Sequence, residues 1–134
     1  MLAHHTRAIN TAKEKLLSEQ ADILAIVLGG SLAKGNARVD SDVDLIVVVP
    51  DHQFAGRLES NQITFLRRDC SDYEGGYVEG NFVGRSFIED AAKRGSEPTR
   101  YSFVGAYPIH CVDPRIEEWL NLIPISWCSF LLNE

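Results

Sequence analysis

Two apolar runs joined through a small-residue turn constrain this chain more than anything else in it: Ile23-Leu24-Ala25-Ile26-Val27-Leu28, and Asp42-Val43-Asp44-Leu45-Ile46-Val47-Val48-Val49. The first is apolar throughout, the pattern of a strand covered on both faces. It delivers Gly29, Gly30 and Ser31 to the end of a sheet, and Leu32-Ala33-Lys34 has room for a turn or two of helix before Gly35 and Asn36 end it. The N–H groups that open such a helix point at any anion bound there, and the positive end of the dipole favours it. The second run carries Asp42 and Asp44 at its head, and strand residues two apart face the same side. Neighbouring carboxylates repel unless a cation lies between them, and oxygen-only donors suit Mg²⁺.

Around this centre the chain alternates helical and extended patterns. Ile9, Ala12, Leu16 and Leu17 recur at helical spacing between about Thr6 and Gln20, predicting an amphipathic first helix. Pro50 stops the second strand. Over Asp51 to Cys70, Phe54, Leu58, Phe65 and Leu66 fit a helix face while Ile63-Thr64-Phe65 fits a strand, and both readings stay open. Gly75-Gly76 marks a turn, and Tyr77 to Val83 reads as a third strand with a weak point at Gly80. Ser86-Phe87-Ile88-Glu89 has capping-box spacing, with Lys93 and Arg94 in the last helical turn and Gly95 as its C-terminal cap. Glu97-Pro98 breaks the pattern, and Arg100 with Glu97 reads as a structural pair or cap. Tyr101 to Val112, interrupted by Pro108, predicts short strand pieces at a sheet edge. Asp113-Pro114 opens a last helix. The tail from Ile123, with Trp127, Phe130, Leu131 and Leu132, is apolar enough to pack on this domain or on a second copy.

At 134 residues the chain supports one domain, residues 1–134, with a core over about 20–112 and a C-terminal helix and tail over 113–134. A net charge of −6 argues against a domain that grips nucleic acid through its phosphates, so no stable nucleic-acid partner is expected. Cys70, Cys111 and Cys128 form neither a disulfide framework nor a zinc spacing, which points to a reducing cytoplasm. No signal peptide or membrane span is evident. His4, His5, His52 and His110 show no ligand spacing and read as surface or core residues.

Gly30-Ser31, ten intervening residues, and Asp42-Val43-Asp44 between two strands resemble the signature of the polymerase-beta-type nucleotidyltransferase superfamily. The wording Gly-Ser-Leu-Ala-Lys-Gly and Ser-Asp-Val-Asp-Leu is most similar to its small bacterial branch, the minimal and aminoglycoside-type enzymes. Tyr73-Glu74-Gly75-Gly76-Tyr77-Val78-Glu79-Gly80 and Ala92-Lys93-Arg94-Gly95-Ser96-Glu97-Pro98 extend the resemblance, which covers roughly residues 20 to 112. It implies an α/β fold, a small mixed β-sheet flanked by helices. It also implies a Mg²⁺-dependent enzyme, two ions expected and Mn²⁺ able to substitute, that moves a nucleoside monophosphate from a nucleoside triphosphate to an acceptor hydroxyl and releases pyrophosphate.

Carried onto this chain, the resemblance makes Asp42, Asp44 and Glu79 the catalytic and metal-binding residues, with Glu79 standing where an aspartate is commoner. Glu74 and Asp72 are substitutes for it, and the bland reading of Asp42 and Asp44 is of acids capping a strand. Gly29, Gly30, Ser31, Lys34 and Arg38 fall on the nucleotide side, although Ser31 also suits a plain helix N-cap and the two cations a solvated face. The acceptor is a small molecule or protein. A homodimer or helical partner subunit is expected to complete its pocket, the apolar tail and Trp119 motivating the dimer. The alternative is a nucleotide-binding regulatory or antitoxin-like module without turnover.

Overall fold

The computed structural model describes the backbone of residues 1–132 and side chains through residue 123. In chain order the elements are α1 (Ala3–Glu19), β1 (Ala25–Gly29), α2 (Gly30–Lys34), β2 (Val43–Val49), α3 (Asp51–Glu59), β3 (Thr64–Arg67), β4 (Val78–Gly84), α4 (Arg85–Arg94), α5 (Glu97–Ser102), β5 (Tyr107–Cys111) and α6 (Pro114–Leu132). The strands form one mixed sheet in the order β3-β4-β2-β1-β5, with β2 and β4 parallel and the other pairs antiparallel. This is the α/β architecture that the two apolar runs and their flanking helices require.

Every residue of β1 is buried, as its unbroken apolar run demands. Ile26 and Leu28 face one layer, packing with Leu45, Val47 and Phe82 against Ala8, Ile9, Ala12 and Leu16 of α1. Ala25 and Val27 face the other, packing with Val48 against Ile88, Ala91 and Ala92 of α4 and Ile116, Trp119 and Ile123 of α6. Each large aliphatic side chain enclosed this way contributes about 1.5–3 kcal/mol. Trp119 lies inside this second layer with the Arg85 guanidinium 4.8 Å from its ring centre, so it offers no surface to a second copy. The side chains of the apolar tail lie outside the described residues.

Both readings of 51–70 are realised in succession. Pro50 ends β2, α3 follows with no buried residue, and a short β3 then pairs with β4. Gly80 is not a weak point. A Cβ there would stand 2.5 Å from the Phe65 ring and 2.7 Å from the Leu45 carbonyl oxygen, and that oxygen belongs to the neighbouring backbone. Gly80→Ala is therefore expected to cost about 1–3 kcal/mol in a urea titration, and an unchanged midpoint would contradict this packing.

The capping of α4 differs from expectation. Ser86 lies inside the helix, Gly84 is the cap residue, and the Ser86 N–H donates to Asp51 Oδ1 at 3.0 Å. A carboxylate from α3 thus does what a local hydroxyl was expected to do, and it ties the two helices together. Glu97-Pro98 opens the short helix α5 rather than a break, with Ser96 Oγ accepting from the Thr99 N–H. Arg100 pairs with carbonyls, not with Glu97: Nε donates to Gly95 O at 2.6 Å and Nη1 to Ile123 O at 3.1 Å. Pro108 sits on edge strand β5 where the register against β1 shifts, a position that needs no ladder donor. Among the described residues no helix is long and apolar enough to cross a membrane.

Candidate functional site

The strand register brings one row of residues across the top of the sheet: Gly29 pairs with Asp44, and Asp44 with Glu79. Alternation then puts Asp44 and Ile46 of β2 and Glu79 and Asn81 of β4 on the same face. Their burial follows suit, since Val43, Leu45, Val78 and Gly80 between them are buried. That face is covered by α4 and α6 at its far end and open at the Asp44 end.

Asp44 is half-buried beneath the turn that follows β1. Burial pushes its carboxyl above the ordinary carboxylate value, the charge of Glu79 adds to the shift, and the charge of Lys34 opposes it. Gly30 adopts φ +66°, and a Cβ there would meet Asp44 Cβ at 3.1 Å and Oδ2 at 3.2 Å. The glycine thus supplies both a left-handed backbone and a close approach to the carboxylate. Gly30→Ala is expected to cost about 1–3 kcal/mol of stability and to displace the Asp44 carboxylate. An alanine variant as stable as the parent by thermal melting would contradict that geometry.

Asp42 lies one residue before β2, with its Oδ1 buried and lacking a hydrogen-bond partner. The nearby Asp42 carboxylate raises the pKa of the Tyr77 phenol, with a smaller contribution from the charge of Glu79. Tyr77 thus lies near both Asp42 and Glu79, and Glu79 near Asp44. Among the described residues, no three His, Cys, Asp or Glu side chains are gathered closely enough to hold a metal ion. The loop carrying Asp42 is clamped from below. His4 Nε2 donates to Val39 O and the Tyr73 hydroxyl to Ser41 O, each at 2.8 Å, while His5 is fully buried beside them.

The remaining candidates are spread around this row. Gly29 is the N-cap residue of α2, so Ser31 is a helical residue and not the cap. Lys34 ends that helix, exposed, with its ammonium 4.6 Å from the Tyr101 ring centre and near enough to Asp44 to act on its titration. Arg38 is exposed on the following loop, its N–H donating to Ser41 Oγ at 2.7 Å. Of the substitute acids, Asp72 is engaged by Arg7 at 2.7 Å, and Glu74 is exposed in the turn before β4.

Tyr77 and Asn81 were not singled out in the sequence. The alternation that places Glu79 on this face places them there as well. The same face continues from Gly29, Gly30 and Asp44 into a cavity of about 470 Å³ bounded by α3, α4 and the end of α5, which no single stretch of sequence reveals.

A family model described as "Nucleotidyltransferase domain" matches residues 9–125. No curated protein matches the chain. Among solved structures the chain is similar to one described as "Crystal structure of the toxin-antitoxin with AMP-PNP". The identity is 15%, the match covers 92% of this chain and 90% of that one, and the TM-score is 0.46.

Proposed function

The chain belongs to the nucleotidyltransferase domain family, and on that premise we propose that it is a Mg²⁺-dependent enzyme transferring a nucleoside monophosphate from a nucleoside triphosphate to an acceptor hydroxyl, with release of pyrophosphate. The observation that carries this reading is the acid row. Asp44 and Glu79 are register partners on parallel strands, directly below a glycine turn, and the adjoining Asp42 has a buried oxygen without a partner.

The donor set has the oxygen-only chemistry that a hard divalent cation takes, and the charge of Glu79 disfavours ionised Asp44 until a cation is bound, although the three acids are not drawn together as a metal site in the metal-free chain. Asp42, Asp44 and Glu79 would hold the ion. When bound, it neutralises charge on the phosphates and makes an acceptor hydroxyl easier to deprotonate. Gly29, Gly30 and Ser31 would cradle the triphosphate through backbone N–H groups, and Lys34 and Arg38 would supply positive charge at its outer oxygens. We take 1–134 as one nucleotidyltransferase unit working in the cytoplasm.

A second copy or helical subunit closing the open side of the acid row belongs to the same reading. Sedimentation of the full chain is expected to show an assembly larger than one chain, and a monomer at every concentration tested would remove that part. The wide-open acid row keeps one alternative in view, a module that binds nucleotide without turnover. Incubation with α-labelled nucleoside triphosphates, Mg²⁺ or Mn²⁺ and a panel of hydroxyl acceptors separates the two. Label transfer lost in Asp44→Asn supports the enzyme. Tight nucleotide binding without transfer to any acceptor supports the module.

A further inference from the structure

The cavity beside the acid row is built from unlike materials at its two ends. At one end are Gly29, Gly30 and Asp44; beyond them the sheet contributes Ile46, Asn81 and Val83, α4 contributes Phe87, the turn after α5 contributes Phe103, and α3, which packs on the other core layer, contributes Phe54. Asp44 is the one charged side chain lining it among the described residues. A triphosphate finds no cation inside, and a polycationic acceptor finds no wall of carboxylates. About 470 Å³ is the size of pocket that encloses a small molecule rather than a single functional group. Asp51 caps α4 from α3 and so holds the elements bearing Phe54 and Phe87 together.

Resting on the transferase reading, we propose that this cavity holds the uncharged, apolar or aromatic body of the acceptor, with the acceptor hydroxyl presented to the acid row at Asp44. Phe54, Phe87 and Phe103 supply aromatic walls, and the Asn81 amide supplies one polar contact that orients the molecule. In the transfer step the acceptor oxygen forms a bond to the α-phosphorus. The bond from that phosphorus to the bridging oxygen breaks with its electron pair, which leaves on pyrophosphate, and the hydroxyl proton passes to a carboxylate of the row.

The test uses the full chain and 2-naphthol, a neutral aromatic alcohol, with two variants that alter the cavity from opposite sides. Ile46→Phe fills the floor, and Phe87→Ala opens a rim position that is 45% exposed and so tolerant of change. Calorimetry is expected to show 2-naphthol binding that each variant weakens by about tenfold, with ATP affinity unchanged. Two variants with parental melting temperatures guard against a trivial loss of fold. Absence of 2-naphthol binding, or binding that neither variant alters, overturns the proposal. Competition between 2-naphthol and ATP, with both variants weakening ATP, overturns it in favour of a nucleobase pocket. Label transfer from α-labelled ATP decides the reaction separately. Transfer to kanamycin in preference to 2-naphthol rejects the acceptor class while upholding the transferase. Cavity-dependent 2-naphthol binding with no transfer to any acceptor rejects the transferase reading, and with it the acceptor role.

Discussion

Asp44→Asn is expected to lower nucleotidyl transfer by about a thousandfold, because on the proposed reading it removes an oxygen that would hold the cation at the centre of the row. The same substitution is expected to leave the metal-free protein at least as stable as its parent. Asp44 is half-buried and faces the charge of Glu79, so its carboxyl titrates above its ordinary value of 3.8. Between that value and the raised one the folded protein binds the proton more readily than the unfolded chain. The carboxylate therefore destabilises the fold at neutral pH, and the penalty disappears as pH falls through the raised value. Asp69, Asp72 and Asp113 behave oppositely. Lys15, Arg7 and Arg85 hold them low, so their stabilisation is present above 3.8 and is lost as pH falls through their depressed values. Subtracting the Asp44→Asn profile from the parent isolates the Asp44 contribution. Urea titrations should show the variant's advantage at neutral pH shrinking on acidification, and an advantage that grows instead would contradict the burial of this acid. Added Mg²⁺ should stabilise the parent and not the variant.

The largest loss of stability is expected at Arg100. Arg100 is 9% exposed, and its guanidinium donates to the Gly95 and Ile123 carbonyls, joining the end of α4 to α6 through α5. Arg100→Leu leaves two carbonyls without their charged donor, at a cost of about 3 kcal/mol, or about 10 °C in melting temperature. Arg100→Lys should recover little of it, because one ammonium on a flexible stem does not span the two carbonyls as a planar fork does. Melting within about 2 °C of the parent for Arg100→Leu would show that these bonds are not holding the helical layer together.

What could be read in the sequence divides by the range over which each feature is decided. Burial of β1 on both faces follows from its uninterrupted apolar run, and the juxtaposition of Gly30 and Asp44 is visible as a glycine turn followed by an acid at the head of the next strand. Pro108 announces an edge strand because a proline cannot donate to a second neighbour. The misreadings share one cause. Ser86 has the spacing of a local cap, yet Asp51, thirty-five residues away in sequence, reaches the same helix first. Arg100 looks like a partner for Glu97, but buried carbonyls on two other segments offer it better-matched acceptors. Trp119 reads as a sticky surface and is covered by its own chain. The cavity was illegible for the same reason, since its walls come from separated segments that meet only after folding.

Calorimetric titration of Mn²⁺ into the full chain tests the acid row most directly. Binding is expected in the parent, weakened by at least about tenfold in each of Asp42→Asn, Asp44→Asn and Glu79→Gln, and unchanged in Asp72→Asn and Glu74→Gln. Mn²⁺ affinity that survives the first three substitutions, or that falls equally in the last two, would contradict the site.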